Sequence, residues 1–435
     1  MSRLIFSAMV LIACQLLPVD TLAGEEAAGL VPADIKQGID TGDTAWMLVS
    51  TALVMLMTPG LAIFYAGMAR KKNVLGTIMQ SFFILCLISV LWVLWGYSLA
   101  FGPDSGGIIG NLKYLVLNNV GIEPNGTIPH LVFMMFQGMF AVITAALITG
   151  AVAERIKFSA VVLFSILWAT FVYAPLCHWV WGGGWMQKLG VLDFAGGLVV
   201  HISAGISSLV AAVVIGKRRG YPKEYMPPHN LGLTMIGMGL LWFGWFGFNA
   251  GSALAANGIA ANAFVTTNTA AATAALTWVF IEWLHRGKPT TLGAMSGAVA
   301  GLGTITPASG FVSVGSALII GMAAGALCYW AVSVLKQRLG YDDSLDVFGI
   351  HGVGGTLGTL AVGLFASVGA AGLFYGNPPQ LLKQAVAVSV TIVFTALATY
   401  IILKLIDAVI GLRVSTEEEI EGLDLSQHGE TGYVL

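Results

Sequence analysis

The sequence predicts an all-α polytopic membrane protein with eleven transmembrane helices. Of its 435 residues 57% are hydrophobic and only 10% are charged, and the mean hydropathy is +0.84. Charged residues make up about a quarter of soluble globular domains, so this composition excludes a cytosolic enzyme. The hydrophobic stretches are continuous and long enough for helices, which excludes the short alternating strands of a membrane β-barrel.

Charge and cysteine content exclude several other classes of protein. A net charge of −2 provides no basic field that would hold nucleic acid. The cysteines at Cys14, Cys86, Cys177 and Cys328 show no pair spacing for zinc or for a disulfide framework. We therefore expect no nucleic-acid partner, no resident metal or cofactor, and no enzymatic activity.

Residues 1–23 are predicted to be a signal peptide. Arg3 provides a basic start, a short hydrophobic run begins at Leu4, and small residues end the segment at Ala23. An uncleaved first span is the main alternative, and the residues that end at Cys14 also resemble a lipoprotein box. Cleavage would leave the mature N-terminus outside the cell.

Eleven hydrophobic windows are long enough to cross a membrane, which takes roughly 20 residues. They lie at 44–67, 75–101, 130–152, 158–176, 194–216, 230–251, 259–284, 291–306, 313–335, 347–369 and 384–411. The predicted transmembrane domain comprises residues 24–411, with inverted halves at about 44–216 and 230–369, a last helix at 384–411, and a cytoplasmic tail at 412–435. An odd number of spans places the two mature ends on opposite sides.

The basic residues indicate the orientation of these spans, because lysine and arginine concentrate in cytoplasmic loops. With the N-terminus outside, only four basic residues lie outside, at Lys36, Lys113, Lys188 and Lys383. Fourteen lie inside: Arg70, Lys71, Lys72, Arg155, Lys157, Lys217, Arg218, Arg219, Lys223, Arg286, Lys288, Lys336, Arg338 and Arg413. The C-terminus is therefore predicted to be cytoplasmic.

A faint internal repeat relates the two halves. Asp193 opens the fifth span, which carries His201, and Asp346 opens the tenth, which carries His351. Five spans separate the members of each pair, and an odd offset gives the halves opposite orientations in the membrane. This arrangement is common in transporters, whose substrate path lies between the two halves.

His201 and His351 are the ionisable candidates for a functional site, because such side chains are costly inside a membrane. The repeat would bring the two rings together, and touching imidazoles can share a hydrogen bond while they offer a lone pair or an N–H to a small polar guest. A packing role is one alternative. A metal site is the other, although two histidines fall short of the three protein ligands of a catalytic zinc.

Aromatic residues form a second group of candidates. Phe136 and Phe140 share a face of the third span, and Trp245, Phe248 and Ser252 follow one another at helical spacing on the sixth. Ring faces and a hydroxyl at an outer mouth would suit a small cation.

Three further residues receive structural interpretations. Trp179, in the outer segment after the fourth span, is predicted to be a membrane-interface anchor. Asp193 is predicted to cap the first turn of the fifth span, with an electrostatic contribution to cation recruitment as the alternative. Asp346 is predicted to cap the tenth span.

The longest motifs resemble those of the ammonium transporter (Amt/Mep/Rh) family, in its bacterial Amt branch. They are GAVAER at 150–155, WGGG at 181–184, DFAGG at 193–197 with VH at 200–201, GWFGFNAGS at 244–252, DVFGIHGV at 346–353, GLD at 422–424 and HGE at 428–430. They are distributed along nearly all of the mature chain. Trp181 favours the Amt branch over the Rh branch, in which the recruiting tryptophan is usually replaced.

The resemblance implies a homotrimer with one pore per subunit, in the cytoplasmic (inner) membrane of a bacterium and in contact with membrane lipid. The implied substrate is ammonium or ammonia, with methylammonium as an analogue. The implied roles are ammonium recruitment at Phe140, Trp181 and Ser252, a gate of Phe140 and Phe248, a pore lined by His201, His351 and Trp245, an auxiliary ring at Phe136, and Asp193 near the recruitment site.

The C-terminal tail is expected to bind a PII-type signal protein, again by resemblance. Gly432 stands where bacterial members commonly have alanine, which weakens that expectation. The acidic run at 415–421 is either part of an ordered dock or a solvated segment.

The sequence favours a pore in which ammonium loses its proton near Phe140 and Phe248, passes His201 and His351 as ammonia, and is reprotonated inside. Whether the proton follows by a separate route stays open at this point. The alternatives are an ammonium sensor with little net flux, an ion-coupled transporter of a larger solute, and a membrane metalloenzyme.

Overall fold

The computed structural model describes residues 38–433, and the predicted signal peptide lies outside them. This part of the chain is predominantly helical, and each predicted span overlaps one apolar helix. The helices are α1 (Thr41–Met68), α2 (Lys71–Phe101), α3 (His130–Val152), α4 (Phe158–Leu189), α5 (Gly197–Ile215), α6 (Leu231–Gly251), α7 (Gly258–Arg286), α8 (Thr291–Ile305), α9 (Val314–Leu339), α10 (Phe348–Phe365) and α11 (Pro379–Ile410). A turn at 182–184 interrupts α4 near its end.

Within residues 38–433, ten of these helices are long and apolar enough to cross a membrane, as judged by length and composition. The exception is α8, whose 15 residues are fewer than the roughly 20 that span the hydrocarbon core. Its bounds agree with the eighth predicted window, at 291–306. The chain is therefore a multi-pass helical membrane protein.

Short elements mark the two ends of the helical bundle. Between α2 and α3 lie two antiparallel hairpins of two-residue strands, β1 (Asp104–Ser105) with β2 (Ile109–Gly110), and β3 (Pro124–Asn125) with β4 (Ile128–Pro129). We call this end of the bundle the hairpin face. The C-terminal residues form α12 (Thr416–Glu421) and α13 (Leu423–His428) at the other end, which we call the tail face.

Of the five wide π-helical turns in the described residues, four form two pairs at a five-helix offset, and the fifth, in α2 (Trp92–Gly96), has no counterpart in α7. One lies in α4 (Ala169–Tyr173) and its counterpart in α9 (Ala331–Leu335), and one opens α5 (Gly197–Ile202) as another opens α10 (Phe348–Gly352). Such turns are rare and occur frequently at functional sites. Here the turns of α5 and α10 carry the two candidate histidines.

The helices α5 and α10 cross at glycines next to these turns. A Cβ atom at Gly205 would lie 2.2 Å from the backbone nitrogen of Gly352, so the two backbones are in direct contact. Small residues at a crossing allow helices to approach this closely. The side chains that flank the crossing, His201 and His351, are thereby brought face to face.

Buried charges join the loops of the tail face. Glu154, which is 1% exposed, accepts hydrogen bonds from the backbone N–H and the Nε of Arg70, both at 2.6 Å, and pairs with Arg218. Arg155 is completely buried and donates to the carbonyls of Gly216 and Asp342 and to the hydroxyl of Ser344. These contacts connect the loops before α2, α4, α6 and α10.

The ion pair between Arg218 and Asp342 has the strongest geometry in this network. The side chain of Asp342 accepts from the Arg218 backbone N–H at 2.8 Å, from Nε at 3.0 Å and from Nη2 at 2.8 Å. Burial alone would raise the pKa of Asp342, but the hydrogen bonds and charge of Arg218 outweigh burial and hold that pKa below its usual value. The carboxylate is therefore ionised in the folded protein at neutral pH.

We expect Asp342→Ala to lower the free energy of unfolding by about 3–5 kcal/mol, because Arg218 would lose its main counter-ion in a buried site. Glu123→Ala removes a half-exposed carboxylate and should cost no more than about 1 kcal/mol. Because the folded pKa of Asp342 lies below the unfolded value of about 3.9, its stabilisation is present at neutral pH and is lost as the pH falls through the folded pKa. Thermal unfolding in detergent, followed from pH 7 to pH 3, measures both effects; equal losses for the two variants would contradict the assignment.

The tail is ordered and packs on the start of α2. Ser415 and Glu418 form a reciprocal cap at the beginning of α12. The side chain of Lys72 donates to the carbonyls of Glu419 and Ile420, and the amide of Gly76 donates to Asp424. The acidic run at 415–421 therefore forms a short helix that is packed on the bundle, with Glu419 buried.

Candidate functional site: two cavities lined by aromatic rings and histidines

The centre of the site is the histidine pair. The rings of His201 and His351 are nearly parallel, at 14°, with centroids 5.2 Å apart, and their Nδ1 atoms are separated by 3.2 Å. Because both rings are buried, the pair is best satisfied when one nitrogen donates a hydrogen bond and the other accepts it. The structure therefore places the two predicted residues together.

One nitrogen of this pair is buried without a hydrogen-bond partner among the described residues. It is Nε2 of His201, which is inaccessible to bulk solvent. The rings border a narrow cavity of about 20 Å³, which is room for one water-sized molecule. Its remaining walls are mostly apolar: Met57, Leu61, Phe64, Tyr65, Ile143, Leu147, Val200, Leu241, Trp245, Phe248, Val299, Leu345, Val347 and Ile350.

A pair of phenylalanines closes the hairpin-face side of this cavity. The rings of Phe140, from α3, and Phe248, from α6, are stacked, with centroids 4.1 Å apart and an interplanar angle of 26°. Both rings are buried. Phe248 lies 6.2 Å from the ring of His201. Phe136 contacts Phe140 edge-on, with centroids 4.9 Å apart. The stacked rings therefore separate the histidines from the space above them.

Trp245 forms a wall of the histidine cavity. Its ring is nearly parallel to that of His201, with an interplanar angle of 18° and ring centroids 5.7 Å apart. The indole N–H donates to the hydroxyl of Thr306 at 2.9 Å, so it is not directed at a guest in the cavity. The partner Thr306, on the loop after α8, was missed by the sequence analysis because no local motif links it to α6.

An open cavity of about 200 Å³ lies above the stacked rings, at the hairpin face. Its lining includes the three residues predicted for recruitment, Phe140, Trp181 and Ser252. The rings of Trp181 and Phe140 are perpendicular, with an interplanar angle of 89° and centroids 5.9 Å apart. The hydroxyl of Ser252 donates to the carbonyl of Phe248, which leaves its oxygen lone pairs able to accept from a guest.

Asp193 holds the start of α5 and the position of Trp181. Its carboxylate accepts four backbone N–H groups, from Gly196, Gly197, Leu198 and Val199. Its backbone carbonyl accepts the indole N–H of Trp181 at 2.9 Å. The predicted cap is present, and a buried carboxylate satisfied in this way is fixed in place.

The prediction that Asp346 caps the tenth span is wrong. Its backbone is left-handed, with φ at +61°, and its carboxylate pairs with Lys336 at 2.6 Å. Asp343 accepts instead from the amide of Phe348, at 2.7 Å. Asp343 precedes His351 by eight residues, as Asp193 precedes His201 by eight. This spacing could have identified Asp343 as the capping residue, whereas the similarity of the motifs that begin at Asp193 and Asp346 pointed to Asp346.

The prediction that Trp179 anchors the protein at the membrane interface is also wrong. Its ring is only 8% exposed, packs on Phe394 at 4.7 Å, and donates from its indole N–H to the carbonyl of Ile108. Trp179 therefore ties α4 to the first hairpin inside the protein.

Comparisons with known proteins identify the family of this chain. The family model described as the Ammonium Transporter Family matches residues 45–433. The chain belongs to the ammonium transporter family. This family member is 54% identical over 400 residues to an ammonium transporter of Bacillus subtilis, with 90% of this chain and 98% of the relative covered. It is 53% identical over 396 residues to the ammonium transporter Amt1 of Archaeoglobus fulgidus, with 90% of this chain and 99% of the relative covered.

Solved structures resemble the fold of this family member closely. Mep2 of Saccharomyces cerevisiae is 37% identical, with a TM-score of 0.82 over 88% of this chain and 90% of that one. A structure described as a sensor Amt protein is 30% identical, with a TM-score of 0.84, and the match covers 89% of this chain and 98% of that one. The family predicted from the motifs is therefore confirmed. No group of three or more His, Cys, Asp or Glu side chains that could hold a metal ion occurs within residues 38–433.

Proposed function

We propose that this chain recruits ammonium at the hairpin face and conducts it as ammonia past the histidine pair to the tail face. The observation that carries this proposal is the sequence of environments along one axis. An aromatic cavity with a hydroxyl lies above a closed pair of phenyl rings, and a narrow apolar cavity with two imidazoles lies below. Each environment favours a different form of the same small molecule.

The outer cavity suits the charged form. The faces of Phe140 and Trp181 attract a cation through the ring quadrupole, and Ser252 can accept one of its N–H groups. Such contacts are worth only about 0.5–2 kcal/mol, which is far less than the cost of carrying an unpaired ion into an apolar interior. Recruitment alone therefore does not draw the cation through the pore.

The inner cavity suits the neutral form. Ammonium and potassium carry the same charge, but only ammonium can release a proton and become uncharged. If ammonium releases its proton to water in the open outer cavity, next to Phe140, neutral ammonia can enter the histidine cavity. There the unpartnered Nε2 of His201 can form a hydrogen bond with it. The same barrier rejects potassium, because potassium cannot lose its charge.

The proposed arrangement in the membrane has eleven spans, with α8 among them. The tail face is placed in the cytoplasm of a bacterium and the hairpin face outside the inner membrane, after removal of residues 1–23 as a signal peptide. The distribution of basic residues and the offset of the π-helical turns support inverted halves at about 44–216 and 230–369. Apolar side chains at the surface, among them Phe243, Phe280 and Trp283, are assigned to lipid and to the other subunits of a homotrimer.

The tail face is the proposed docking surface for a PII-type signal protein. The support is that α12 and α13 are packed in place: Glu419 accepts from the backbone of Arg219 and pairs with Arg413. The end of the tail contacts the bundle too, because the hydroxyl of Tyr433 lies 3.1 Å from Nε2 of His229. A preordered surface lowers the entropic cost of docking a partner.

The proposed function is tested with purified protein in proteoliposomes. An external ammonium jump, a matched potassium jump, and a record of internal pH separate the possible outcomes. A saturable ammonium current without a potassium current would mean selective transport of net charge. Internal alkalinisation above that of protein-free vesicles, without a current, would mean that ammonia passes and the proton stays outside.

An ammonium sensor is the second candidate, favoured by the likeness to the structure described as a sensor Amt protein. The outer aromatic cavity could serve detection as well as transport. Ammonium binding to the purified protein with neither current nor pH change in the vesicles would overturn the transport proposal in favour of the sensor.

A further inference from the structure

His178 lies on α4 three residues before Trp181, and its ring is completely buried. Nδ1 lies 2.9 Å from the carbonyl oxygen of Ala100, at the end of α2. Nε2 lies 2.9 Å from Oδ1 of Asp104, in β1. The ring therefore bridges α4, α2 and the first hairpin.

Both partners of this ring can only accept hydrogen bonds. A backbone carbonyl carries no proton, and an ionised carboxylate carries none either. Asp104 is ionised because hydrogen bonds from Lys188 and then from His178 lower its pKa to about 2. The amide of Gly107 also donates to Oδ1 of Asp104, at 2.8 Å, and Lys188 pairs with Oδ2 at 2.5 Å.

A histidine ring can donate from both nitrogens only when it carries both protons. The charged groups that face the ring are Asp104 on the hairpin and Lys188 at the end of α4, and α2 presents the neutral carbonyl of Ala100. The attraction of Asp104 is direct, at 2.9 Å, whereas the charge of Lys188 is bound to the other carboxylate oxygen. This arrangement matches an imidazolium.

The same residue supports the turn that follows Trp181. The carbonyl of His178 accepts from the amides of Gly182, at 3.0 Å, and Gly184, at 2.9 Å. The packing is tight, because a Cβ at Gly182 would lie 2.0 Å from the Ala100 oxygen and 2.7 Å from Nδ1 of His178. A shift of the His178 ring would therefore move the backbone that carries Trp181.

We propose that His178 is a buried imidazolium that positions Trp181 at the outer mouth, and that loss of its second proton loosens that position. It is a positioning residue for recruitment, and this inference rests on the proposed ammonium function. A neutral ring directs one lone pair at an acceptor, so either the bond to Ala100 or the bond to Asp104 is lost. Ammonium capture thereby becomes dependent on external pH through a group outside the pore.

The first measurement is of the ring itself. The ¹⁵N NMR signals of histidine rings distinguish the doubly protonated ring from either neutral tautomer, and the chain has only seven histidines. The His178 signals are assigned by their loss in His178→Gln. We expect both nitrogens to be protonated at pH 7, and a neutral ring at that pH would overturn the proposal.

The second measurement is the pH profile of recruitment in proteoliposomes. In Asp104→Asn the side-chain NH2 group can donate to Nε2 of a neutral His178, so both hydrogen bonds of the ring survive without the second proton, and the Gly107 amide loses its acceptor at that position. We expect the apparent KM for ammonium in the wild type to rise about fivefold to tenfold as external pH removes that proton, with kcat little changed. The KM of Asp104→Asn should stay nearly constant over the same range.

Lys188→Met is the matched control, because Asp104→Asn also removes the pairing with this half-exposed lysine. Exposed ion pairs contribute little to stability, and the carboxylate of Asp104 still faces Nε2 of His178 in this variant, so the control should still show the rise of KM with external pH. Parallel profiles for the wild type and Asp104→Asn would show a purely structural role for His178 and overturn the inference. Failure of the proposed function would be seen differently, as the absence of ammonium-dependent signals in every variant while the NMR measurement still reports the charge of His178.

Discussion

His201→Leu should lower ammonium-dependent flux by roughly 5- to 150-fold, the effect of about 1–3 kcal/mol for a buried hydrogen-bonding group left without its partner. Nδ1 of His351, now 3.2 Å from Nδ1 of His201, would face a hydrocarbon side chain. The cavity would also lose the unpartnered Nε2 of His201, which is the proposed contact for ammonia.

The measurement is the initial rate of the ammonium-dependent signal in proteoliposomes, with potassium as the competing ion. His285→Leu is the matched control, because His285 lies near the end of α7 and bonds to the hydroxyl of Tyr329, away from the pore. The control should retain most of the flux. If His201→Leu kept both the wild-type flux and the rejection of potassium, the histidine pair would have no role in conduction.

Gly205→Val should be strongly destabilising. Its Cβ would lie 2.2 Å from the backbone nitrogen and 2.3 Å from the Cα of Gly352, and neither atom can rotate away. Forced overpacking usually costs about 1–3 kcal/mol and sometimes more. We expect at least the upper end of that range, because the helix carrying His201 would have to move away from the one carrying His351.

Gly239→Val provides the matched control for this substitution. Gly239 lies on an exposed face of α6, and a Cβ there would meet no heavy atom within 4 Å. Both variants introduce the same β-branched residue into a helix, so the difference in their thermal unfolding temperatures reports the crossing alone. Equal unfolding temperatures would mean that the contact between α5 and α10 is looser than the structure shows.

The helices themselves were predictable because their signal is local. Hydrocarbon thickness sets the length of an apolar segment, and all eleven predicted windows overlap helices of the structure. The histidine pair was also predictable, since the five-span offset related His201 to His351 before their rings were seen to meet. The motif from 244 to 252 likewise placed Trp245 and Phe248 on one helix, where both contact His201.

The sequence by itself therefore determined the membrane class, the family and several of the residues that line the two cavities, because hydropathy and motif order are properties of neighbouring residues. Only the tertiary structure decided which side chains are partners across long separations. Asp343 replaced Asp346 as the cap of α10, Trp179 proved to be buried, and His178 found Asp104, 74 residues away. The physical reason is that these contacts depend on which helix ends and loops meet when the bundle packs. Residues that are neighbours in the sequence do not carry that information.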